Sequence, residues 1–177
     1  DLLPIFWVPE GTLAQRQEQD RRVNWRSWVD QGALRTMPGE VVDLQVVANA
    51  ILEGMAAFEV QMLGFDSWGV SQLQIMLQDE GVTATIGDDP FMVNLRQGHR
   101  TLAEPTKEFE RLVFQRKLDH AGHPVLRWNA MNVVVREDEN SNIIPAKKRS
   151  NGQIDGIAAS VMAIALAILG DESAVSL

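Results

Sequence analysis

The sequence predicts an α/β domain in which at least some strands run parallel. Strand-like apolar runs alternate with segments of helical period along the chain. The 177 residues are 45% apolar and 23% charged, enough to bury one core and unlike a disordered chain. There is no cysteine, which excludes a disulfide scaffold, a thiolate-bound zinc and thiol catalysis, and agrees with a reducing compartment.

The elements read in order as follows. Residues 2–8, LLPIFWV, form a strand ended by Pro9. Residues 12–32 form one polar helix whose sparse apolar side is Val23, Trp25, Trp28 and Val29. Met37-Pro38-Gly39 is a turn. Asp43 caps a helix in which Leu44, Val47, Ile51, Met55 and Phe58 recur at three- and four-residue spacing. Residues 60–65 are a short strand, followed at once by Asp66, and residues 70–80 a helix stopped by Gly81. Residues 82–86 are the next strand and 87–90 its turn, opening a loop at 87–100 long enough to be functional. Thr101 and Glu104 suit a capping box, with Pro105 in the first turn and Phe109, Leu112, Val113 and Leu118 on the buried face. Residues 132–136, a polar turn at 137–142 and Ile143-Ile144 make a hairpin. The last helix, 153–170, is apolar nearly all round and must be covered on most sides. Its apolar run, 157–169, is too short to span a bilayer, which takes about 20 residues. Residues 1–9 have neither a basic segment nor a small-residue cleavage site, so no secretory signal is expected.

Charge is unevenly spread. The net charge of −8 argues against a generally basic, nucleic-acid-binding surface. Yet residues 96–151 hold 11 of the 16 Lys and Arg residues, so a polyanion has one segment on which to settle. No G-x-x-x-x-G-K-[ST], G-x-S-x-G or H-E-x-x-H motif occurs, which excludes P-loop ATP hydrolysis and two familiar hydrolase sites. His120 and His123 have a metal-ligand spacing, but Gly122 and Pro124 break the helix that the pair needs. The five tryptophans read as anchors of core or surface rather than platforms for stacked bases.

Two carboxylates stand out. Asp66 closes a strand just before a helix, where ligands gather in open α/β sheets; it can hold a metal or cap the helix. Asp155 opens the buried last helix, as a dipole partner or a site residue, and Gly156 beside it permits close backbone approach. Lys147, Lys148 and Arg149 lie a few residues upstream, where cations beside a carboxylate can grip a phosphate or simply form an exposed hairpin tail.

Several segments, in this order and spacing, resemble a known family. They are FWVPEGT at 6–12, Gly64-Phe65-Asp66-Ser67-Trp68, Gln97-Gly98, EPTKEFERL at 104–112, PVLRW at 124–128, NVVVR at 132–136 and Ile154-Asp155-Gly156. Together they resemble the C-terminal nuclease domain of the large terminase subunit of tailed bacteriophages, over nearly the whole chain.

The resemblance implies a ribonuclease H-like mixed sheet flanked by helices, with residues 1–177 as a single nuclease domain. It implies a metal-dependent endonuclease that cuts double-stranded concatemeric viral DNA by phosphodiester hydrolysis during packaging. Asp66 and Asp155 match acidic positions that hold Mg²⁺ or Mn²⁺, expected as two ions, and carry catalysis. Lys147 and Lys148, with Arg100 and Lys107, are the expected DNA contacts. The implied partners are double-stranded DNA, the portal protein, the small terminase subunit and the ATPase domain of the full-length subunit, in the host bacterial cytoplasm with no membrane. The sequence departs from the family in two ways. The ATPase motor is absent, and the family's first strand, with its metal-binding Asp, has no counterpart. The expectation is therefore an N-terminally truncated domain with an incomplete ligand set. Two alternatives stand beside it: a non-catalytic docking or DNA-binding fragment of the packaging motor, and another ribonuclease H-like nuclease such as a resolvase.

Overall fold

Strands here are short, and they pair in three separate couples rather than across one wide sheet among the described residues. The structure is a computed structural model that describes residues 1–66, 70–83 and 91–175. β1 (Trp7–Pro9) runs parallel to β2 (Arg35–Met37), and β3 (Leu63–Phe65) runs parallel to β4 (Met92–Asn94). β5 (Val135–Glu137) and β6 (Ile143–Pro145) form an antiparallel hairpin. The expected mixture of parallel and antiparallel pairing between helices is thus present.

The N-terminal elements differ from the expectation. Pairing in β1 begins at Trp7, because Pro4 has no N–H to give a ladder, and the Leu2 N–H instead reaches the Asp119 carbonyl at 2.7 Å. The single helix expected at 12–32 is two: α1 (Leu13–Gln19) and α2 (Trp25–Asp30). Gln17 stands in for the missing turns. Its amide donates to the Val23 carbonyl at 2.6 Å and accepts from the Trp25 N–H at 3.0 Å. Asn24 then caps α2 by accepting from the Ser27 N–H at 3.0 Å. The break lets Val23 and Trp25 turn inward with Val8, Leu34, Val125 and Trp128 into one cluster, where Trp25, Trp28 and Trp128 meet at 5.4–5.6 Å between centroids. Met37, placed in a turn by its sequence neighbours, ends β2 and is fully buried; the turn itself begins past it, with Gly39 at φ +88°.

The second region follows the sequence closely. Asp43 caps α3 (Leu44–Ala57) by accepting from the Gln45 N–H at 2.9 Å. Its apolar face packs against α4 (Val70–Asp79) and the β3–β4 pair around Ala48, Phe65, Leu73, Leu77 and Met92. Phe58 is not part of that face; it lies in extended backbone past the helix end and is exposed. Gly81 stops α4 at φ +92°. Ser67, Trp68, most of the strand expected at 82–86 and its turn at 87–90 lie outside the described residues; Val82 and Thr83 are not in a strand. The strand that does pair with β3 is β4, inside the stretch expected to be a loop.

α5 (His99–Phe114) starts after Gly98, three residues earlier than the capping-box reading required. Thr101 and Glu104 therefore lie inside the helix and form no box. Pro105 is seventh in the helix, and the missing N–H at that point is tolerated within a tightly packed face. The buried residues are Leu102, Ala103, Pro105 and Thr106, whereas Val113 is half exposed and Leu118 lies beyond the helix. Packing on α7 and β6 fixes which side turns inward, and the apolar spacing alone pointed too far along the chain. α6 (Pro124–Asn132) was not anticipated; His123 caps it and Pro124 takes its first position. Asn132, expected in a strand, ends α6.

α7 (Asp155–Val175) is the long apolar helix, packed against α5, α6 and β3. Ile157, Val161 and Ala165 face inward, and the small residues Ala159, Ala163 and Ala167 lie on the exposed side. Covering α7 thus leaves out one narrow, small-residue stripe.

Candidate active site

Asp66 directly follows Phe65, the last residue of β3, and Gln97 follows β4 by three residues. Because the two strands run parallel, both side chains emerge at the same carboxyl edge. There the Gln97 amide donates to Asp66 Oδ2 at 2.8 Å. Asp66 is partly buried. Its place at the strand edge is the one read from the sequence.

Asp155 occupies the first turn of α7. Its Oδ1 accepts from Lys147 Nζ at 2.5 Å, with both side chains well exposed, at 59% and 69%. Lys147 sits on a tight turn in which the Arg149 and Ser150 N–H groups bond the Ala146 carbonyl at 3.0 and 3.1 Å. Ser150 Oγ accepts from the Val134 N–H at 3.1 Å, tying that turn to the entry of β5. The start of α7 is pinned from beneath. Buried Asn129 on α6 accepts from the Gly156 N–H at 2.8 Å, and a Cβ on Gly156 would lie 2.5 Å from the Phe6 ring. The close approach that Gly156 permits is therefore to Phe6, which is packing and not ligand contact.

A cleft of about 280 Å³ opens beside Asp155, and Asp66 is not among the residues lining it. Gln97 lies on its wall with Asp155, and Arg136, Lys147, Lys148 and Arg149 supply four cations around it. Leu102, Ile144 and Ile154 give it a buried apolar floor. The structure thus brings Asp155, Lys147 and Lys148 together and connects Asp66 to them through Gln97. Arg100 is exposed on the first turn of α5 and is not among the residues lining the cleft. Lys107 lies elsewhere: its Nζ donates to Asn142 Oδ1 at 3.2 Å, and it borders a separate groove with Glu104, Glu108 and Arg111. Gln97 and Arg136 were not singled out as site residues. Both lie in segments that carry the resemblance, Gln97-Gly98 and NVVVR, but neither segment by itself marks the residue as part of a site.

His120 and His123 are both engaged through Nδ1. His120 Nδ1 accepts from the His123 N–H at 3.0 Å, and His123 Nδ1 accepts from the Leu126 N–H at 3.4 Å. Burial, with His120 adjacent, pushes the His123 imidazole below its ordinary pKa, so it stays neutral as a cap. Among the described residues no three His, Asp or Glu side chains gather closely enough to hold a metal unaided.

A family model described as the terminase large subunit, endonuclease domain, matches residues 2–171 of the chain. The chain belongs to that family. It is 32% identical over 167 residues to the large terminase subunit of Enterobacteria phage HK97, covering 94% of this chain and 32% of that protein. It is 28% identical over 171 residues to protein YmfN of Escherichia coli (strain K12), covering 94% of this chain and 36% of that one. The crystal structure of the HK97 large terminase superposes with a TM-score of 0.79 at 31% identity, covering 90% of this chain and 32% of that one. This endonuclease-domain chain thus has a mixed α/β, ribonuclease H-like fold and spans about a third of the length of these relatives. No helix among its described residues is long and apolar enough to cross a membrane.

Proposed function

We propose that the chain is the metal-dependent endonuclease domain of a viral DNA-packaging terminase, a hydrolase that cuts double-stranded concatemeric DNA. One observation carries this reading beyond family membership. Asp155 and the partner of Asp66 open onto a single cleft edged by four cations. Carboxylates suit a hard divalent cation, and cations suit a phosphodiester backbone.

The donor set fits Mg²⁺ or Mn²⁺ in kind. Mg²⁺ is commonly held by one or two carboxylates, with waters and substrate phosphate completing its shell. Asp66 and Asp155 are the residues that would hold it, as two ions in this reading. When bound, such a pair supplies an activated water and charge stabilisation at the leaving oxygen. Gln97 fixes the orientation of the Asp66 carboxylate. Lys147 neutralises Asp155 and, once released, joins Lys148 in contacting phosphate; Arg100 and Lys107, which lie outside the cleft, are not part of that contact. The same reading gives the chain double-stranded DNA as substrate, and as partners the portal protein, the small subunit and the ATPase domain of the full-length subunit. Its place is the host bacterial cytoplasm.

Supercoiled plasmid nicking tests this. With Mn²⁺ or Mg²⁺ the chain nicks and linearises plasmid, EDTA abolishes cutting, and Asp66→Ala and Asp155→Ala abolish it while circular dichroism stays native. Cutting retained in both variants overturns the assignment. A second reading, a non-catalytic DNA-binding or docking module, is favoured by the lack of a three-ligand group among the described residues. It predicts folded protein that binds DNA and never cuts.

A further inference from the structure

Residues 97 and 99 flank the Gly98 cap of α5 and reach in two directions. Gln97 holds Asp66, as described, and His99 holds Arg136. Arg136 Nε donates to His99 Nε2 at 3.2 Å. An arginine only donates, so that nitrogen carries no proton and the ring proton sits on Nδ1. His99 Nδ1 is buried, has no hydrogen-bond partner, and lies 3.7 Å from Asp138 Oδ2. Asp138 is itself fixed on the hairpin turn, accepting from the Asn140 and Asn142 N–H groups at 2.9 Å each and from the Asn142 amide at 3.1 Å. A rigid carboxylate thus backs an imidazole, and the imidazole backs a guanidinium on the wall of the cleft. Among the four cations of that cleft, Lys147 is occupied by Asp155, whereas Arg136 is held by a neutral ring that leaves its charge uncompensated.

We propose that Arg136 is a phosphate-contacting residue of the cleft and that His99, backed by Asp138, is its positioning residue. This rests on the endonuclease reading above and names a DNA contact which that reading did not contain. An arginine whose Nε is fixed keeps two terminal amino groups free to engage phosphate oxygens as a fork, a geometry lysine lacks.

Affinity for a duplex oligonucleotide, measured by fluorescence anisotropy in EDTA over a salt series, separates binding from cutting. Arg136→Ala is expected to weaken affinity about tenfold, the size of one lost charged hydrogen-bond contact, and to lower the slope of log affinity against log salt by about one. Arg136→Lys recovers the salt slope but only part of the affinity. His99→Ala weakens affinity several-fold, and His99→Gln, which keeps an acceptor for Arg136 Nε, recovers most of it. Thermal melts accompany each variant, and Arg136, being exposed, can be replaced without cost to the core. Arg136→Ala within twofold of wild type at every salt concentration overturns the proposal. An Arg136 effect with no His99 effect overturns the positioning role. Wild type that cuts plasmid while Arg136→Ala binds normally defeats this proposal alone. Wild type that neither binds nor cuts defeats the endonuclease reading with it.

Discussion

Asp66 ends a strand and is held by a neutral amide, whereas Asp155 begins a helix and is held by an ammonium. Each stands beside a glycine that a helix or strand needs for close packing. A Cβ on Gly64 would meet Leu166 and Leu95 at 2.9 and 3.0 Å, and one on Gly156 would meet the Phe6 ring at 2.5 Å. Leu166 belongs to α7, the helix that Asp155 opens, so one element braces both ends of the site. The electrostatics differ. Asp155, paired with a lysine, must give that lysine up before it can take a cation. In the proposed mechanism that exchange frees Lys147 for phosphate.

The largest effect expected is on cutting. Asp66→Asn and Asp155→Asn each lower the initial nicking rate by about a hundredfold or more, since metal catalysis of this kind supplies several kcal/mol. A loss in only one of them would break the pairing of the two residues. Next is stability. Gly156→Ala should cost about 1–3 kcal/mol by overpacking, lowering Tm by roughly 2–4 °C per kcal/mol in a calorimetric scan. Gly64→Ala should cost less, because the ends of leucine side chains yield more readily than a ring. Equal losses would mean that the Phe6 contact is not the tight one.

The third prediction turns on sign. Gln97→Ala weakens Mn²⁺ affinity about tenfold, as loss of an orienting partner does. Lys147→Ala strengthens it modestly, because a competitor for Asp155 is gone; an exposed ion pair is worth at most about 1 kcal/mol. Titration calorimetry reads both. The smallest effect concerns acid. The Asn142 N–H, then the Asn142 amide and the Asn140 N–H, hold the Asp138 carboxyl below its ordinary value of 3.8. A carboxyl lowered on folding stabilises the fold above 3.8, and that contribution is lost as pH falls through the folded value. Asp138→Asn should therefore lower the urea midpoint at pH 7 and differ little from wild type at strongly acid pH.

Much of the second half of the site was legible because its chemistry is local. Asp155 and Lys147 are eight residues apart, and the apolar run after Asp155 announces a buried helix start. Asp66 was legible from strand, carboxylate and helix in succession. Gln97 was not, because its meaning comes from β4, a pairing 31 residues away from Asp66. The same reason hid His99 beside Arg136. The fold was misread where side chains replace backbone partners, as Gln17 does between α1 and α2, and where a proline sits inside a helix, as Pro105 does. α6 was missed because Gly122 and Pro124 signal an interruption, and here they mark the turn and first position of a new helix.

Mn²⁺ titration of the chain, its Asp66→Asn variant and its Asp155→Asn variant tests the shared carboxylate site most directly. The account predicts measurable binding by the wild type and strong weakening in both variants, with the folds intact by circular dichroism. Unchanged Mn²⁺ affinity in either variant would contradict it.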